Sequence, residues 1–139
     1  MGQRWRLVYY ICPGGYCQVW EWLQDLRHTS VRDWHVFEGQ RRPRLEESGV
    51  FAGSPYWERI DDGFAEIKWK GRDRGNLRVY GSAESERRLV LYLGREKRWS
   101  RFANKDRRLC ESYRADFLSG SYDEQSREFM RCAYYKKRG

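Results

Sequence analysis

Residues 63 to 81, GFAEIKWKGRDRGNLRVYG, constrain the fold more tightly than any other stretch of the chain. Side chains alternate faces along a strand, so Ala65, Ile67 and Trp69 fall on one side while Phe64, Glu66, Lys68 and Lys70 fall on the other. Beyond the loop GRDRG, Leu77 and Val79 point one way and Arg78 and Tyr80 the other. Pairing the two runs through that loop sets basic residues side by side on one sheet face, opposite an apolar face that must be covered. The chain is therefore expected to build a sheet with one core face and one cationic face, and the cationic face calls for an anion.

The flanking sequence supplies the rest of an α+β domain. WRLVYYI at residues 5 to 11 is β-branched and aromatic and stops at Pro13, Gly14 and Gly15, which predicts a strand and a break. CQVWEWLQDLR places Val19, Trp22, Leu23 and Leu26 at helical spacing. Ser30 is set to cap a second helical stretch through Val31, Trp34 and Phe37, interrupted at Pro43 with a further turn ending at Gly49. Strand patterns follow at 56 to 60, 64 to 70, 76 to 82 and 88 to 93, with a turn at Asp61, Asp62 and Gly63. NKDRRLCESYRADFL then predicts a C-terminal helix with Asn104 as N-cap and Leu109, Tyr113, Phe117 and Leu118 at its apolar spacing. The expected fold is a central antiparallel sheet with the helices of residues 17 to 47 on one face, plus this C-terminal helix. Residues 121 to 139 form an extension, either a further helix or a mobile basic tail.

Composition narrows the partners. The chain has 139 residues, the size of one domain, and its 28 Lys and Arg against 20 Asp and Glu give a formal charge of +8. That imbalance suits nucleic acid, an acidic protein or an anionic membrane surface. With 17% aromatic residues, the basic surface can carry stacking platforms, although most of the rings are expected in the core. No apolar run approaches a membrane span and the N-terminus makes no convincing signal peptide, so a cytoplasmic protein without membrane association is expected. Cys12, Cys17, Cys110 and Cys132 are read as free thiols. His28 and His35 lack cysteines at zinc spacing, so neither a metal nor another cofactor is expected.

The order of EIKW, LRVYG, LVLYLGREKR and NKDRRLCESYRADFLSG resembles the RelE/HigB superfamily of bacterial toxins and their phage-derived relatives, over most of residues 5 to 120. Departures include Gly81 after Tyr80 and Lys68 where Arg is frequent. The resemblance implies a RelE-like fold and an endoribonuclease that cuts mRNA, at the ribosome in many members, under restraint by a small antitoxin protein. The implied chemistry is in-line attack by a ribose 2′-hydroxyl on the adjacent phosphorus. It requires a base, positive charge on the phosphoryl oxygens and a donor for the leaving oxygen, and it needs no metal.

The resemblance points to Lys68, Arg78 and Lys97 as catalytic, and to Lys70, Tyr80, Arg95 and Arg98 as RNA-binding. Arg78 suits a phosphate clamp, because a guanidinium offers a bidentate fork, and Lys68 suits either a base or a second clamp. Lys97 and Arg98 suit leaving-group charge or flanking backbone, and Tyr80 a stacked base or the 2′-hydroxyl. A purely structural role stands beside each of these. Lys68 and Lys70 can be solvated strand charges, Arg78 the cross-strand partner of Glu66, and Tyr80 packing beneath the C-terminal helix. A second functional hypothesis stays open as well: a non-catalytic phage or prophage protein that binds RNA or a host protein through the same basic face.

Overall fold

The computed structural model describes residues 4–61, 63–97 and 102–119. Arg98, Cys132 and the extension from 121 to 139 lie outside the described residues. The fold is α+β. Strand β1 (Arg6–Tyr9) leads into helices α1 (Gln18–Thr29), α2 (Val31–His35) and α3 (Arg42–Ser48). Strands β2 (Glu58–Arg59), β3 (Phe64–Lys70), β4 (Asn76–Glu84) and β5 (Arg88–Lys97) follow, and helix α4 (Asn104–Leu118) comes last.

One five-stranded sheet runs in the order β1-β5-β4-β3-β2. Strands β2 to β5 pair antiparallel, as expected of successive short-looped strands, but β1 pairs parallel to β5, with Val8 opposite Val90. The sheet is thus mixed rather than wholly antiparallel. The first strand is separated from its partner by the whole helical segment, and a connection of that length lets it return in either direction.

The alternation in β3 and β4 partitions two cores. Ile67, Leu77 and Val79 join Val19, Leu23, Leu26, Phe37 and Leu45 of the N-terminal helices on one face, with Ile67 and Val79 at 0% exposure. The opposite face packs Val8, Tyr10, Phe64, Tyr80, Val90 and Tyr92 against Cys110 and Phe117 of α4. A bulge, where the β4–β5 register shifts between Tyr80 and Gly81, leaves Tyr92 with no residue of β4 in register opposite it and turns both it and Leu93 towards α4.

Gly94 then returns to the α1 side, where Gln18 clamps it. The Gly94 N–H donates to Gln18 Oε1 at 2.6 Å and the Gln18 side-chain amide donates to the Gly94 carbonyl at 2.8 Å. A Cβ at Gly94 would sit 2.4 Å from the Trp22 ring. Gly94→Ala is accordingly expected to cost about 1–3 kcal/mol by overpacking, read as a lower urea midpoint at unchanged slope.

Local details differ from the pattern in three places. Pro43 does not interrupt the second helical stretch, because a π-turn at Val36–Arg41 carries the chain into α3 and puts the proline in the first turn of α3, where its missing N–H is tolerated. Ala103, not Asn104, is the N-cap residue of α4, and Leu118 is 52% exposed while Asp106 is buried on that helix. Ser30 does occupy the N-cap position of α2, but its hydroxyl donates to the Asp33 carboxylate at 2.7 Å instead of accepting from the backbone.

Asp33 in turn accepts the Arg72 N–H at 3.0 Å, which ties the GRDRG loop to α2. Cys12, Cys17 and Cys110 are free thiols, and burial pushes Cys17 and Cys110 up to about 12. Among the described residues no helix is long and apolar enough to cross a membrane.

Candidate nucleic-acid interface

The β3–β4–β5 register aligns Lys68, Arg78 and Arg95 as cross-strand neighbours in one row, and Lys70, Asn76 and Lys97 in the next. Residues opposite each other in an antiparallel ladder share a face, so the cationic face anticipated from the alternation is assembled.

Each row is interleaved with carboxylates. Arg78 Nη1 donates to both Glu66 oxygens, at 2.8 and 2.7 Å, with the two side chains only 4% and 3% exposed. Lys68 Nζ lies 3.1 Å from Glu58, each side chain about one-third exposed. Asp106, in the first turn of α4, takes Arg95 Nε at 3.2 Å and also pairs with Lys97. Lys97 further sits 5.5 Å from the centre of the Tyr80 ring. Arg95 and Lys97 are thereby turned towards α4.

Tyr80 is fully buried, with its ring 4.6 Å from that of Phe102. No face of it is open to a base. Burial, and secondarily Glu66, drives its hydroxyl well above the ordinary tyrosine value.

The remaining cations meet at the edge of the sheet. β2 pairs with β3 only at Ala65 and Glu66, so from Ile67 onward the β3 edge is open to other partners. The Lys68 N–H donates to the Pro55 carbonyl at 3.0 Å, and the Lys68 carbonyl accepts from Arg41 Nε and Nη2 at 3.2 and 3.1 Å. A cavity of about 440 Å³ opens here, lined by Arg41, Pro55, Lys68, Trp69, Lys70, Asn76 and Arg78. Four of those side chains are basic and none is acidic.

The four basic residues divide into two kinds. Lys68 and Arg78 are already paired with carboxylates, whereas among the described residues neither Arg41 nor the exposed Lys70 has a carboxylate partner. Burial lowers the Arg41 guanidinium from its ordinary value, the expected cost of holding a cation against protein without a counter-charge. Such a cavity offers an anion both direct charge and partial exclusion of water, and phosphate, with its several oxygens, can use guanidinium and ammonium donors together.

Arg41 carried no signal in the sequence beyond its place in a helical, arginine-rich segment. Its position comes from the π-turn that it ends and from a contact to β3 far along the chain. Glu58 was equally hidden. Its carboxyl is held below the ordinary glutamate value of 4.5 by a hydrogen bond from Ser54 at 2.5 Å and then by Lys68. Because that value is depressed on folding, the pair's contribution to stability is complete above pH 4.5 and disappears as pH falls through the lower folded value.

No known family model matches the chain, and no curated protein matches its sequence.

Proposed function

We propose that this chain is a RelE-like, metal-independent endoribonuclease that holds an RNA phosphate in the cavity at the β3 edge, acting on mRNA, at the ribosome, as the toxin partner of a small antitoxin protein. The observation that carries the reading is the gathering of Arg41, Lys68, Lys70 and Arg78 around one cavity without an acidic residue in its lining. The motif order EIKW, LRVYG and LVLYLGREKR supports it from the sequence side. Attack by the 2′-hydroxyl, which gives up its proton to water, forms a bond to phosphorus and breaks the bond to the 5′-oxygen of the next nucleotide, which takes up a proton from water, leaving a 2′,3′-cyclic phosphate and a 5′-hydroxyl. Charge accumulates on the phosphoryl oxygens along the way, and stabilising it is the part of this chemistry that the four cations supply. Lys68 acts as the clamp, Arg78 forms the floor of the cavity in its buried pair with Glu66, and Arg41 and Lys70 bring uncompensated charge. The test is purified protein with RNA alone and with programmed ribosomes, in EDTA. Discrete cuts bearing 2′,3′-cyclic ends support the reading, and no cleavage under either condition defeats it.

A second reading, a non-catalytic RNA- or protein-binding relative, is favoured by one specific observation: Lys68, Arg78, Arg95 and Lys97 all have carboxylate partners already. Wherever RNA occupies this face, catalytically or not, Glu58→Gln removes a negative charge 3.1 Å from Lys68 and should tighten RNA binding. The slope of log affinity against log salt should stay that of the parent, since Lys68 contacts its phosphate in both proteins. An affinity no higher than the parent's would mean that Lys68 does not face the bound RNA.

A further inference from the structure

The helix that leads into the cavity carries three arginines in the segment RRPR, and the structure gives them different environments. Arg42 is neutralised on both sides, by Glu38 at 3.3 Å and Glu46 at 3.5 Å, each one turn away. Arg41 and Arg44 are not. Three positions apart, they lie on one face of the helical segment, and both guanidinium carbons approach the Tyr56 ring, at 5.0 and 5.3 Å from its centre. Arg44 is exposed, and among the described residues it has no carboxylate partner. Tyr56 is half-buried and follows Pro55, which itself lines the cavity. Uncompensated charge therefore runs outward from Lys70 through the cavity and Arg41 to Arg44, with the Tyr56 ring close to both arginines.

We propose that Arg41, Tyr56 and Arg44 form a subsite for the nucleotide adjoining the phosphate held in the cavity, taking its base on the Tyr56–arginine platform and its outer phosphate on Arg44. This rests on the reading of the cavity as an RNA-phosphate site. The occupant is a single strand, because only an unpaired base presents a free face for stacking on a tyrosine ring or a guanidinium plane. Arg41 serves both parts. It is fixed through the Lys68 carbonyl and so couples the cavity to the platform.

Two fluorescent ligands separate the contributions: a single-stranded RNA hexamer and an abasic ribose-phosphate strand of the same length. The full chain is expected to prefer the hexamer. Tyr56→Leu should remove that preference, weakening the hexamer on the order of tenfold and leaving the abasic strand unchanged, whereas Tyr56→Phe, which keeps the ring, should bind like the parent. Arg44→Ala should weaken both ligands and reduce the salt slope of each by about 0.7, and Lys70→Ala, inside the cavity, should do the same. Arg108→Ala, an exposed cation on α4, is the charge-matched control. If Tyr56→Leu and Arg44→Ala bind both ligands like the parent while Lys70→Ala weakens them, the subsite is wrong and the cavity reading stands. If Lys70→Ala also changes nothing, or the parent binds neither ligand, both fall together.

Discussion

Arg78→Ala is expected to destabilise the fold by about 3–5 kcal/mol, because it leaves the Glu66 carboxylate buried without its partner. Both side chains are nearly inaccessible, at 4% and 3%, and the guanidinium reaches both carboxylate oxygens, so little water can replace the lost contacts. Replacing both members with apolar residues, Glu66→Leu with Arg78→Met, should recover most of the loss, since neither charge then has to be desolvated. Urea denaturation of the parent, the single variant and the double variant checks this. A single variant within about 1 kcal/mol of the parent would mean that the pair is far better hydrated than its burial implies. The consequence for function is direct. Lost cleavage in Arg78→Ala reports folding as much as chemistry, so this residue is a poor probe of the site even though it lines the cavity.

Lys68→Ala is the cleaner probe and carries the largest expected effect on activity. Its ion pair with Glu58 is about one-third exposed on each side, and pairs of that kind contribute roughly 0.2–1 kcal/mol, so the fold should survive. If Lys68 stabilises phosphoryl charge in the transition state, its removal should slow cleavage on the order of 10²–10³, the loss measured when a single preorganised donor is deleted. Circular dichroism and urea denaturation establish that the variant is folded, and single-turnover cleavage with the Arg108→Ala control reads the effect. A folded Lys68→Ala that cuts at the parent rate places the chemistry elsewhere on the molecule.

The strands around the GRDRG loop were legible in the sequence because alternation is a local signal. Ile67 and Val79 could only be buried if Lys68 and Arg78 faced the other way, and the register places those two residues opposite each other. The Glu66–Arg78 pair was legible for the same reason, as two charges on one face of adjacent strands. Features that depend on contacts distant along the chain were not. The parallel return of β1 leaves no local trace, and the pairing of Asp106 with Arg95 and Lys97 arises only once α4 is laid across β5. Pro43 reads as a break because a proline normally ends a helix, yet the π-turn before it removes the conflict. Arg41 belongs to the cavity only through its hydrogen bonds to the Lys68 carbonyl, which no periodicity encodes.

The salt dependence of single-stranded RNA affinity, measured for the parent and for Lys68→Ala combined with Lys70→Ala, tests the central claim most directly. If RNA phosphates occupy the cavity, affinity falls linearly on a log–log plot with a slope of about −0.7 for each phosphate contact, and the double variant loses about 1.4 of that slope. An affinity that barely changes from low to physiological salt would contradict the account and point instead to a protein partner on this face, and a double variant with the parent slope would contradict it by placing the RNA elsewhere on the molecule.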